Sequence, residues 1–153
     1  MLNAVTPERL DAIDPRRLIG RRLLGGRATW YSFQGGPAEI VHVWLDFEDL
    51  PSVRLHTLSG LHLAQVTADR SYEMPEVGGT VTLQEGLPPH FNGLIGETIV
   101  EVLAIWDSEH ASEVGLRLAT ARSACSIADL GDDLCMWTDD ASQPHVLNVR
   151  PLT

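Results

Sequence analysis

The chain has no lysine, only two cysteines, and no apolar run long enough to cross a bilayer. Each absence excludes something. Cys125 and Cys135 are too few for a disulfide framework or a zinc knuckle. A membrane helix needs roughly 18 or more consecutive apolar residues. The opening segment MLNAVTPERL lacks a basic-then-apolar leader pattern, which predicts a cytoplasmic chain. No P-loop, GxGxxG, GxSxG or HExxH motif occurs, and the glycine doublets at 25–26, 35–36 and 78–79 stand alone. The expectation is therefore no catalytic residue and no cofactor.

Without lysine, all formal positive charge rests on 11 arginines, opposed by 21 Asp and Glu, for a net charge of −10. The distribution is uneven. Residues 1–30 carry Arg9, Arg16, Arg17, Arg21, Arg22 and Arg27 and have a local charge of +3, whereas residues 31–153 carry −13. Such a field repels nucleic acid and anionic membrane and attracts basic proteins; solubility alone is the other reading of it. The arginine run 16–22 could hold a phosphate, but in so acidic a chain it is expected to pair with the protein's own carboxylates. With 153 residues and 44% apolar content, one globular domain spanning 1–153 is expected.

An internal repeat organises the chain. LIGRRLLGGRATW (residues 18–30) and LIGETIVEVLAIW (residues 94–106) have equal length, begin with the same tripeptide and end in Trp30 and Trp106. After a loop three residues shorter in the second copy, Val41, Val43 and Leu45 match Val114, Leu116 and Leu118 at an offset of 73, as Leu61 and Leu63 match Leu134 and Met136. A period this long means two related halves, 18–66 and 94–140, joined by a linker at 67–93.

The unit reads as strands. Residues 40–47 alternate, with Val41, Val43, Leu45 and Phe47 on one face and His42, Trp44 and Asp46 on the other. Segments 53–57 and 61–66 flank the turn Leu58-Ser59-Gly60, and 114–120, 124–129 and 134–138 are their counterparts, with Gly131-Asp132-Asp133 as the matching turn. Residues 97–106 are rich in β-branched side chains and read as a strand, and Gly25-Gly26 suits a bulge. Further strands are expected at 80–85 and 145–150, a helical turn after Pro88-Pro89, and a short helix from Thr6-Pro7 through Ile13. The fold class is mainly β with little helix: two pseudo-repeated antiparallel meanders forming a sandwich or barrel. Val43, Leu45, Leu55, Leu63, Leu116, Leu118 and Ile127 are the expected core.

Three side-chain groups invite chemistry. His42, His56 and His62 fall on the polar face of three consecutive strands, where imidazoles could converge on a metal. Against this, the residues at matching positions in the second copy read as Gly115, Asp129 and Cys135, and no metal is expected. Cys125 faces inward and Cys135 outward on their strands, and neither has a histidine beside it in sequence. The third group is the acidic stretch Asp129, Asp132, Asp133, Asp139 and Asp140 beside Trp137, a candidate partner-binding edge with Trp137 and Trp44 as apolar anchors. Its plain alternative is a hydrated turn. Trp30 and Trp106 are expected in the core.

The two LIG-to-Trp segments, and the Gly131-Asp132-Asp133-Leu134 turn within an acidic C-terminal half, resemble in type the immunity proteins that bacteria encode beside polymorphic toxins. The resemblance implies a stoichiometric inhibitor that binds a basic toxin domain and blocks it. A structural or scaffold domain, or a metal- or small-molecule-binding β-domain, remain the alternatives.

Overall fold

The computed structural model describes residues 11–34, 36–65, 72–74, 79–140 and 146–152. Its first half is a meander of β2 (Leu23–Phe33), β3 (Glu39–Phe47), β4 (Val53–Thr57) and β5 (Leu61–Gln65). β7 (Gly79–Glu85) then returns to pair with β2. β1 (Asp11–Ala12) and β6 (Tyr72–Met74) extend the edges, giving the order β1-β5-β4-β3-β2-β7-β6. The second half repeats the plan with β8 (Glu101–Asp107), β9 (Ser112–Ala119), β10 (Ala124–Leu130) and β11 (Asp133–Thr138), and β12 (Leu147–Pro151) returns to pair with β8. Its order is β11-β10-β9-β8-β12. The two antiparallel sheets pack together as an open β sandwich.

The repeat runs deeper than the sequence match. Each half is a five-stranded unit, because β7, inside the expected linker, closes the first sheet as β12 closes the second. The first two strands of each half shift register at equivalent places, between Thr29 and Trp30 and between Ile105 and Trp106. A second bulge at Leu23/Gly25 accommodates the glycine doublet. The halves meet along matching segments. Gly20 donates its N–H to Ile99 O and Gly96 donates to Leu23 O, both at 2.7 Å. Both glycines are left-handed, at φ +84° and +83°, a conformation that costs other residues roughly 1–2 kcal/mol.

Alternation explains the core. Val43, Leu45, Leu55 and Leu63 from the first sheet meet Leu116, Leu118 and Ile127 from the second, all buried as expected. Leu18 and Leu94, the first residues of the two LIG tripeptides, are buried in the same cluster with Leu23 and Ile99. Fully burying such a side chain contributes roughly 1.5–3 kcal/mol.

Several expectations need correction. Of the predicted N-terminal helix, residues 6–10 lie outside the described residues, and 11–13 are extended: β1 pairs with β5, and Ile13 donates its N–H to Leu63 O at 3.0 Å. The Pro-initiated turn comes later, at Pro15–Leu18, where the Asp14 carboxylate caps the Arg16 N–H. Trp30 and Trp106 are half-buried, Trp30 packing against the core and Trp106 lying under the Arg150 guanidinium at 4.5 Å. Trp44 is only 1% exposed, so it is no surface anchor. It lies on the outer face of its sheet, edge-on to His42 and with Arg27 over its ring. Polar neighbours in sequence made that face look open, yet Arg54 and His56 are buried there too.

Candidate functional site

Because neighbouring strands are antiparallel, β2, β4, β8 and β10 end and β3, β5, β9 and β11 begin at one end of the sandwich, where the 58–60, 108–111 and 131–132 turns lie. Two hydrogen bonds tie the sheets together there. Gly60 donates its N–H to Asp129 Oδ2 at 2.8 Å, and the Thr57 hydroxyl donates to Asp132 O at 3.1 Å. Gly131 and Asp132 form the two-residue turn, both with positive φ, and so project between the strands with the twist a hairpin favours.

This end concentrates carboxylates. Glu39, Asp107, Glu109, Glu113, Asp129, Asp132 and Asp133 lie in these turns or beside those strand ends. Several of the described arginines are engaged by other acids. Arg21 and Arg22 are at the opposite end and engage the Asp49 carbonyl and Glu48. Arg16 pairs with Asp14 beside Pro15, which lines a hollow with Ser59, Gly60 and Glu113. All three bind the protein's own oxygens, as expected of that run. Arg27 pairs with Asp46, which also accepts from the Ser52 hydroxyl, and Arg117 pairs with Asp139 and Glu101.

An open cleft of about 530 Å³ lies between the 58–60, 108–111 and 131–132 turns. Asp107 and Asp129, each 8% exposed, contribute to its walls. Asp107 caps its loop, accepting the N–H groups of Glu109 and His110, and its Oδ2 lies 2.7 Å from His110 Nδ1. These bonds, the one from the His110 ring foremost, hold the Asp107 carboxyl below its usual pKa. The same contact raises the pKa of His110. Asp129 spends one oxygen on Gly60, while its buried Oδ1 has no hydrogen-bond partner among the described residues. The pair Asp107–His110 has the orienting bond of a general base, yet among the described residues no hydroxyl or thiol hydrogen-bonds to His110. The arrangement is suited to binding cations.

The sequence-based edge therefore divides. Asp129, Asp132 and Asp133 sit at the hairpin end, but β11 carries the chain six residues onward, about 20 Å, before Asp139. Trp137 is half-buried on the outer face of the second sheet, against Ile105, Val114, Ala128 and Leu147. Asp139 is engaged by Arg117 at 2.6 Å, and Asp140 lies with it beside a different hollow formed with His90 and Arg122. Trp44 belongs to the other sheet. The contiguous acidic surface instead adds Glu39 from the β2–β3 connection and Asp107 and Glu113 from the β8–β9 hairpin, none in one sequence run with Asp129–Asp133.

His42, His56 and His62 do come together, with ring centroids 6.1 and 5.6 Å apart in succession. The last two stack, and His62 Nε2 lies 2.6 Å from Leu58 O. Burial, then Arg54 and His56, push the pKa of His42 down to about 4. Among the described residues, no group of three His, Cys, Asp or Glu is placed to hold a metal ion. The residue paired like His56 in the second half is Ala128, not Asp129, because the β3–β4 loop is longer than its counterpart. Cys125 lies in the core, its thiol pushed up to about 12 by burial, while Cys135 is half-buried.

Among the described residues, no helix is long and apolar enough to cross a membrane. Comparison with protein-family models, curated proteins and solved structures found no match to this chain.

Proposed function

We propose that this chain is a protein-binding inhibitor of the immunity-protein type, acting in the cytoplasm by stoichiometric capture of a basic toxin domain. The observation that carries the reading is the hairpin end, where seven carboxylates from three separate connections gather in or beside the turns. Seven fixed charges on one rigid face steer a cationic protein toward it and raise the association rate above the ordinary 10⁵–10⁶ M⁻¹s⁻¹ range. Affinity then depends on contacts that lose water, since rim charges contribute little alone. The cleft and the hollow beside Glu39 and Asp133 supply concave, partly apolar surface for such contacts.

The test is co-expression with the products of adjacent genes that end in a cationic, toxin-like domain. The expected result is an equimolar complex that survives gel filtration and relieves growth arrest. Unrelieved toxicity and separate elution for every such neighbour would refute the reading.

A further inference from the structure

We propose that the cleft is the seat of one arginine side chain of the protein partner, its guanidinium taken by Asp129. This rests on the protein-binding reading above and specifies its central contact. The cleft meets the requirements of a long cationic side chain at each level. Asp129 is more than nine-tenths buried, one of its oxygens is fixed by the Gly60 N–H, and the other lacks a hydrogen-bond donor among the described residues. A buried carboxylate oxygen without a donor is unfavourable, and a charged donor offsets that most effectively. Asp107 and Glu113 line the same space, so the positive charge meets negative walls from a second hairpin. Val114 and Leu130 supply apolar surface for the methylene stem.

Guanidinium is favoured over the other cations for geometric reasons. A metal ion needs several ligand atoms within roughly 2.0–2.6 Å, and no such group occurs among the described residues. An ammonium is a compact, strongly hydrated point charge. A guanidinium is planar, weakly hydrated and offers five donors, which suits carboxylates spread around a space of about 530 Å³.

The experiment is an NMR titration of the full chain with N-acetyl-arginine amide, with N-acetyl-lysine amide and calcium chloride as comparison probes. Saturable shifts of the Gly60 amide and the His110 ring are expected, with a dissociation constant on the order of 1–10 mM for so small a ligand. The lysine probe should bind about threefold or more weaker. Asp129→Asn should abolish the shifts. Should that variant misfold, Glu113→Gln at an exposed position should weaken binding about twofold or more. No saturable shift at these amides, equal binding of either comparison probe, or unaltered binding by both variants would overturn the proposal. A silent cleft in a chain that still forms the equimolar complex would overturn the arginine seat alone. Loss of the complex itself would be the failure of the broader reading.

Discussion

Arg22 and Thr98 pair with each other in an isolated antiparallel bridge, although they occupy the same position in the two halves of the chain. Residues at equivalent positions can pair in this way only around a local pseudo-twofold axis. The surrounding bonds agree: Leu23 donates its N–H to Glu97 O, and Ile99 donates to Arg21 O. Residues 18–24 and 94–100 also share one burial pattern, with Leu24 and Val100 both exposed over buried Leu23 and Ile99. The junction is thus built like a homodimer interface joined into one chain.

Equivalence of the two junction glycines gives the first prediction. Among the described residues, chain neighbours aside, neither has an atom within 4 Å of where a Cβ would stand, so Gly20→Ala and Gly96→Ala carry conformational strain without a clash. Each should cost about 1–2 kcal/mol in urea unfolding. One neutral and one damaging substitution would show that the junction is not symmetric.

In the core, Leu116→Ala should cost about 2–5 kcal/mol, since the side chain is 3% exposed between the sheets. A loss below about 1 kcal/mol would place that face of β9 outside the sandwich. Trp44→Ala should also destabilise, by about 3–5 kcal/mol, because the ring is buried. Full stability of that variant would mean the outer face of the first sheet is open.

The Asp107–His110 contact makes a pH prediction. His110 should titrate above its usual value and Asp107 below its own. The histidine's contribution is complete below the unfolded histidine pKa and is lost as pH rises through the raised folded one. The aspartate's is complete above the unfolded carboxyl pKa and is lost as pH falls through the lowered folded one. The pair therefore stabilises the loop most in mildly acidic solution. NMR titration of His110 in Asp107→Asn should return the midpoint toward the ordinary histidine value. An unmoved midpoint would assign the shift to another group.

Much of this architecture is legible in the sequence because burial imposes a period of two. The alternation in 40–47 fixes β3 and its face, and the repeated LIG segment exposes the two halves. The closing strands are harder to read. β7 and β12 pair with strands distant in sequence and have no matching residues to mark them as equivalent. Trp44 shows the limit of alternation, which tells one face from the other but not whether the second face is covered. The candidate site is only half legible. Asp129, Asp132 and Asp133 stand in one short run, whereas Asp107, Glu113 and Glu39 join them through hairpin geometry alone.

The central claim, that the hairpin end recruits a basic protein, is tested most directly by association kinetics against salt with the cationic domain that the co-expression test recovers. The comparison is between wild type and the double variant Asp132→Asn with Asp133→Asn, both exposed positions in the β10–β11 hairpin. The account predicts slower association for the variant and a shallower dependence of its rate on ionic strength. Rates identical to wild type at low and at physiological salt would contradict it.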